Sequence, residues 1–320
     1  DQQGPVCIPD GAGGSIVAWM DVRTGQNDIY VQRISATGIP MWTSNGVNIC
    51  SATNNQIVPQ IVTDGAGGAI VAWWDGRSGV NYDIYAQHIN SSGTTLWAAN
   101  GVAISTATGD QNNVSMISDG QGGAILAWQD NRSGANIDIY AQRVNGAGNT
   151  LWLSNGTPLC TVAGNKQYPT LASDGSNGAI VTWQDGRGGS LDIYAQRINS
   201  SGTVQWTTNG IIVCNATNFQ YFPVIVADGA NGAIIAWEDG RNPTYDIYAQ
   251  KVTSAGTTAW SANGVAVCSA AISQYSPQIC PDSNGGAIIC WPDLRNGTFD
   301  LYAQRMSGGG SPLWTSDGIA

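Results

Sequence analysis

One sequence pattern returns six times along the chain and limits the fold more than any other feature. The segment DGAGGAIVAWWDGR that begins at Asp64 has counterparts at Asp10, Asp119, Asp174, Asp228 and Asp282, spaced by 54 or 55 residues. A Trp stands nine positions after each anchor Asp: Trp19, Trp73, Trp128, Trp183, Trp237 and Trp291. D-x-R, a D-I-Y or D-L-Y segment and a second Trp follow (Trp42, Trp97, Trp152, Trp206, Trp260, Trp314). Of the 13 Trp residues only Trp74 lies outside this frame. A period of this size marks a stack of small units, each of which buries its apolar face only against a neighbour.

Within one copy the runs PQIVT, GAIVAWW, YDIYAQHIN and TTLW are rich in β-formers and separated by Gly-, Asn- and Asp-containing turns. The expected fold is therefore all-β, a six-bladed β-propeller with four antiparallel strands per blade. It forms a single domain over 1–320, with repeats at approximately 1–54, 55–109, 110–164, 165–218, 219–272 and 273–320. With 42 Gly and only 11% charged residues, the chain is short of good helix formers. The framework Trp residues are expected to pack between adjacent blades. In the register of the repeat about six linker residues separate the last position from the first, so the two ends are expected to meet in a ring.

The net charge of −10 excludes nucleic acid as a partner, because phosphate binding needs a basic surface. No apolar run approaches the ~20 residues of a membrane span. The first residues, DQQGPVCIPD, have neither a basic nor an apolar leader region, so the expectation is a mature form or an excised domain. The seven Cys match no zinc or redox spacing. Cys50, Cys160, Cys214 and Cys268 share one repeat position, read as a small semi-buried residue too distant from its counterparts for a disulfide.

The core pattern, clearest at Asp64-Gly65, Asp75, Arg77 and Asp83-Ile84-Tyr85, resembles the repeat of TolB-type propellers, and it recurs in all six copies. The resemblance implies a six-bladed, non-enzymatic propeller that works through protein contacts outside the cytoplasm. This repeat adds a GTxxWxxNG segment and lacks the α/β domain of TolB, so TolB's own partners do not carry over. The longer repeat is also similar to those of secreted bacterial surface proteins.

Of the 22 acidic residues, 18 fall in three six-fold positions, leaving Asp1, Asp110, Asp317 and Glu238. The cations follow suit. One set is the D-x-R arginine, and a second holds Arg33, His88, Arg143, Arg197, Lys251 and Arg305, leaving only Lys166. His88 thus reads as a solvated cation substitute, and Glu238, in the place of Gln129 and Gln184, as a framework polar residue. Catalysis needs unlike groups converging on one spot. Six copies of one Asp–Arg arrangement do not supply that, so the expectation is no enzyme activity, no catalytic residue, no cofactor and no metal. An acidic-loop calcium site lacks the necessary run of oxygen ligands. A sialidase reading fails because Glu238 is alone and S-x-D-x-G-x-T-W boxes are absent.

Two sets of candidate binding residues remain. The repeated one is Asp21 with Arg23, Asp75 with Arg77, Asp130 with Arg132, Asp185 with Arg187, Asp239 with Arg241, and Asp293 with Arg295. It reads either as a loop brace, with Arg forking onto a carboxylate, or as a repeated ligand cradle. The other set breaks the symmetry. Tyr168, Tyr221, Phe222 and Tyr275 lie in the linkers into copies four to six, where earlier copies have Ile57, Val58, Asn112 and Asn113, and Tyr82, Tyr245 and Phe299 precede the D-I-Y or D-L-Y Asp. These aromatics should gather on one loop face, where variation on a rigid scaffold usually carries binding. The sequence therefore points to a non-catalytic, extracellular, periplasmic or cell-surface propeller. It would bind protein, as a monomer or as part of a larger surface protein. The alternative is a multivalent carbohydrate-binding lectin with repeated sites between blades.

Overall fold

A computed structural model describes residues 1–320. The chain contains strands and turns and no helix, so no helix is long and apolar enough to cross a membrane. Six antiparallel sheets follow the six copies in order. In copy two the strands are Gln56–Thr63, Ala69–Asp75, Asp83–Ile89 and Val102–Ser105, hydrogen-bonded in sequence order. Five copies have these four strands, as expected. The sixth has three (Gln278–Pro281, Ala287–Asp293, Asp300–Met306), and of its fourth strand only an Ala303–Ile319 bridge is present.

The sheets group into two compact units. The first comprises Asp1–Ala135 with Tyr140–Pro158, and the second Asn136–Ile139 with Leu159–Ala320. Within each, neighbouring sheets meet face to face. In the first unit Trp73, Val71 and Ala69 of copy two bury against Ile16, Ala18, Ile29 and Val31 of copy one. In the second, Trp237 and Ile235 of copy five bury against Ile180, Ile193 and Ala195 of copy four. The second Trp of a copy reaches forward instead: Trp97 Nε1 donates to Gly146 O at 2.9 Å, and Trp206 Nε1 to Ser254 O at 3.1 Å. Both Trp families thus pack between sheets, as the repeat predicts.

The anchor Asp closes the hairpin between first and second strands. Asp64 Oδ1 accepts from the amides of Ala66 (2.7 Å) and Gly68 (2.9 Å), which is why Asp leads this turn. A Cβ at Gly68 would stand 2.3 Å from Ile89 O, so no other residue fits. The free Asp64 oxygen, Oδ2, lies 2.9 Å from His88 Nε2. His88 does take the place of the Arg or Lys of other copies, but it is buried rather than solvated. Its Nδ1 lies 3.2 Å from Gly146 O, and its ring packs edge-on to Trp97.

Candidate functional site

The repeated Asp–Arg set is a closed brace. In copy five Asp239 is fully buried, and it accepts from Trp237 Nε1 (2.7 Å), Arg241 N (3.0 Å), Arg241 Nε (2.8 Å) and Arg241 Nη2 (2.6 Å). Arg241 Nη2 also donates to Asn263 O at 2.7 Å, tying the third-strand loop to the segment after the second Trp. The guanidinium carbon lies 3.8 Å from the Tyr248 ring centroid, and the same stacking recurs in all six copies at 3.6–4.0 Å. Cys214 completes the cluster with its Sγ 3.4 Å from Arg241 Nη2, and burial pushes its thiol up to about 12, so it is no nucleophile. Arg77 with Asp75, Arg132 with Asp130, Arg187 with Asp185 and Arg295 with Asp293 repeat the ion pair at 2.5–2.7 Å, and Arg23 pairs with Asp21. Nη2 is engaged within the framework in all six copies, and Nε in copies two, three and five, whereas Nε of Arg187 and Arg295 is buried without a partner.

The pairing extends to every cation. All 12 Lys and Arg residues of the chain form ion pairs with Asp. Lys166, outside both six-fold sets, is fully buried with Nζ 3.0 Å from Asp138 Oδ1. No Lys or Arg is left uncompensated to meet an anionic ligand.

The symmetry-breaking aromatics form a different kind of site. In the second unit Tyr168 and Phe222 touch at 5.0 Å between ring centroids, Phe222 and Tyr221 at 5.9 Å, Tyr221 and Tyr245 at 5.9 Å. The run continues through Tyr245 and Tyr275 at 5.9 Å to Tyr275 and Phe299 at 6.3 Å. A groove of about 520 Å³ lies along it, bordered by Tyr221, Phe222, Glu238, Tyr245, Tyr275, Ser276, Leu294 and Phe299. Phe219 joins the end of the run, stacked on Tyr221 at 5.7 Å. Six of the seven aromatics expected on a loop face therefore converge. Tyr82 does not join them: it lies in the first unit, edge-on to Trp74 and bordering a polar cleft of about 410 Å³ with Asn54, Asn55, Asn81 and Asp110.

The backbone explains how these rings reach the groove. The first strands of copies one to five carry a bulge, with the pairing register shifting between Tyr221 and Val224 in copy five and between Gln167 and Thr170 in copy four. The residue inside the bulge adopts left-handed φ, Gly4 (57°), Val58 (53°), Asn113 (48°), Tyr168 (53°) and Phe222 (49°), as does Ser276 (45°) at the same repeat position just before the shorter first strand of copy six. Such φ values are unfavourable for residues other than Gly, so the geometry is imposed by the bulge and not by the residue. Each bulge thus sets one side chain apart from the strand's alternation, and copies four and five fill the position with large rings.

Glu238 is the one acidic residue bordering the groove. Its Oε1 accepts from Ser276 N at 2.6 Å, as Gln184 Oε1 accepts from Phe222 N at 3.0 Å one copy earlier. The framework role expected from its position is therefore present, and it is combined with a place on the groove. Burial pushes its carboxyl above the usual carboxylate range, against the lowering effect of the Ser276 hydrogen bonds. Burial likewise raises the Tyr221 hydroxyl, with Tyr245 adding to the shift. Both groups are thereby held toward their protonated, hydrogen-donating forms. No local pattern marks Glu238, Ser276 and Leu294 as neighbours along this groove, or Phe219 as the ring that stacks on Tyr221. The available signal was that Phe219 and Glu238 occur where other copies carry Asn, Asp, Ser or uncharged residues.

No family model and no curated protein sequence matches the chain. Solved structures do. A polysaccharide lyase, an ulvan lyase of a new lyase family, aligns over 97% of this chain and 82% of its own length, with a TM-score of 0.55 and 10% identity. An α-L-arabinanase of Penicillium chrysogenum complexed with arabinobiose aligns over 96% and 93%, with a TM-score of 0.47 and 12% identity. A Hadza microbial sialidase aligns over 94% of this chain, which spans only 65% of that protein, with a TM-score of 0.49 and 12% identity. At such identities the likeness is one of fold, and with the repeated four-stranded sheets it establishes a β-propeller-type architecture.

The comparison overturns the expectation of a non-catalytic protein-binding scaffold, and with it the conclusion that the chain is not an enzyme. A structure of the same fold is a polysaccharide lyase. The six-fold repeated charges belong to the framework alone. Unlike groups can still come from the few residues that differ between copies, and Glu238 beside the aromatic run is such a combination.

Proposed function

We propose that this protein is a β-propeller that binds and processes a neutral glycan along the groove of its second unit. The observation that carries this reading is the unbroken run of ring contacts from Tyr168 to Phe299 beside the buried carboxyl of Glu238. Aromatic rings suit the apolar faces of sugars, while their hydroxyls meet sugar hydroxyls at the edges. A carboxyl held toward its protonated form suits proton donation to a glycosidic oxygen. The pairing of every Lys and Arg supports an uncharged substrate, since a uronate or sulfate would find no counter-charge. A polymeric glycan ligand and the TolB-type repeat motif both favour a place outside the cytoplasm, secreted, periplasmic or at the cell surface.

The test is a panel of neutral and acidic polysaccharides, read by affinity electrophoresis for binding and by reducing-end release for cleavage. Binding and cleavage of a neutral glycan, with cleavage lost in Glu238→Gln, supports the reading. Absence of binding across the panel ends it.

A second reading, a lectin with repeated sites, has its own observation. The cleft bordered by Asn54, Asn55, Gly76 and Tyr82 has a counterpart of about 290 Å³ bordered by Asn218, Phe219, Gly240 and Tyr245. Titration calorimetry separates the two: more than one equivalent of ligand per chain favours repeated sites.

A further inference from the structure

In copies one to five the Asp that opens the third strand is buried. A buried carboxylate needs a counter-charge, and only copy three has one. There Lys166 Nζ lies 3.0 Å from Asp138 Oδ1 and also donates to Val162 O. Lys166 is held in place through its backbone, whose N donates to Ile137 O at 2.9 Å. Asp28, Asp83, Asp192 and Asp246 form no ion pair.

At those four junctions Gln56, Gln111, Gln220 and Gln274 take the place of Lys166, in the same register. Gln220 N, for example, donates to Leu191 O at 2.8 Å. All four Gln are 0% exposed, and in all four Oε1 is buried without a hydrogen-bond partner. Gln is neutral and one atom shorter than Lys, so it cannot replace the ammonium. At three junctions an amide nitrogen meets the Asp instead. Gln26 Nε2 lies 3.3 Å from Asp28 Oδ1, Asn81 Nδ2 3.1 Å from Asp83 Oδ1 and Asn242 Nδ2 2.5 Å from Asp246 Oδ2. The junction of copies four and five differs. Asp192 accepts from the Ser190 hydroxyl at 3.3 Å and from no nitrogen, and burial pushes its carboxyl above the usual range.

We propose that the junction of Asp192 and Gln220 binds a monovalent cation in the role that the Lys166 ammonium plays one copy earlier, with the Asp192 carboxylate and Gln220 Oε1 as oxygen ligands. A buried acceptor repeated without a partner calls for a ligand, and oxygen donors suit a hard cation. One carboxylate balances one charge, whereas a calcium ion takes more acidic oxygens. The ion ties the third strand of copy four to the strand that carries Tyr221 and Phe222, and so steadies one wall of the aromatic groove. This site does not depend on what the groove binds.

The test is thermal unfolding at constant ionic strength in choline chloride and in potassium chloride. Potassium should raise the midpoint by about 2 °C or more, as expected for an ion several-fold above its dissociation constant. Gln220→Lys supplies the ammonium from the chain, so it should lose the potassium dependence and melt in choline no lower than the parent does in potassium. Asp192→Asn removes the charge and should lose the dependence too, which decides the matter if the Lys variant does not fold. Lys166→Gln should enlarge the dependence by adding a second site. Anomalous scattering from crystals grown in rubidium chloride should place an ion beside Asp192 and Gln220. Equal midpoints of the parent in the two salts would overturn the proposal. So would a dependence that survives Asp192→Asn, or rubidium bound only elsewhere.

Discussion

The brace around Asp239 and the groove around Glu238 belong to the same copy, one residue apart in sequence, yet they treat polar groups in opposite ways. Asp239 is fully buried, and its two oxygens receive donors from Trp237 and Arg241. Glu238 borders a groove of about 520 Å³, and burial keeps its carboxyl toward the protonated form. Alternation along a strand places neighbouring side chains on opposite sides, so one strand can serve the framework and the site at once. The difference teaches where function can enter a repeat protein: not in the groups that every copy needs, but in the adjoining positions that no copy needs to hold constant.

The largest effect is expected at the brace. Asp239→Ala should destabilise the fold by about 3–5 kcal/mol, the usual cost of leaving a buried charge partner unpaired, read as a shift in the denaturation midpoint. A loss below about 1 kcal/mol would show that the brace is not what holds the loops. In the groove the effects should reverse. Replacing Tyr245 and Tyr275 together by Ala should weaken glycan binding by a factor of ten or more, about 1.4 kcal/mol or above, with little change in the melting temperature. Glu238→Gln keeps an acceptor for Ser276 N, so stability should hold within about 0.5 kcal/mol while any cleavage activity falls.

Two smaller effects sharpen the contrast. Burial raises the Asp83 carboxyl to about 6 from an ordinary 3.8. The folded state then binds more protons than the unfolded state between these values, so stability from this group is full below about 3.8 and is lost as pH rises through about 6. Asp83→Asn should flatten that part of the stability–pH curve and add about 1 kcal/mol at neutral pH, after allowance for solvent screening. At the bulge, Phe222→Gly should relieve left-handed strain and gain up to about 1 kcal/mol, since Gly4 occupies the same position in copy one. The same change should weaken ligand binding a few-fold, measured by titration calorimetry.

Much of the framework was legible from spacing alone. The six sheets, the anchor-Asp turn, the packing of both Trp families between sheets and the pairing of D-x-R residues all follow from identical residues at identical intervals. The site was legible only in part. Counting deviations from the repeat found Tyr168, Tyr221, Phe222, Tyr245, Tyr275 and Phe299, but it also put Tyr82 with them, and the fold sends Tyr82 to a separate polar cleft. By sequence Glu238 is a framework residue, because its position is Gln in two other copies. Its second role depends on rings contributed by residues up to 61 positions away, from Glu238 to Phe299, which local pattern cannot report. The repeat position of His88 implies solvent exposure, and packing against Trp97 buries it instead.

The sequence by itself determined the unit of construction, because a hairpin closed by Asp and Gly, an alternating apolar strand and a Trp at constant spacing are local properties that repeat with the residues. The tertiary structure decided which face of each unit is covered, which side chain each bulge sets apart, and which aromatics meet around one carboxyl. Those outcomes depend on how one sheet stacks on the next. Six near-identical repeats can share their local interactions fully and still differ in their neighbours, so the contacts between sheets, not the repeat, distinguish Tyr82 from Tyr245.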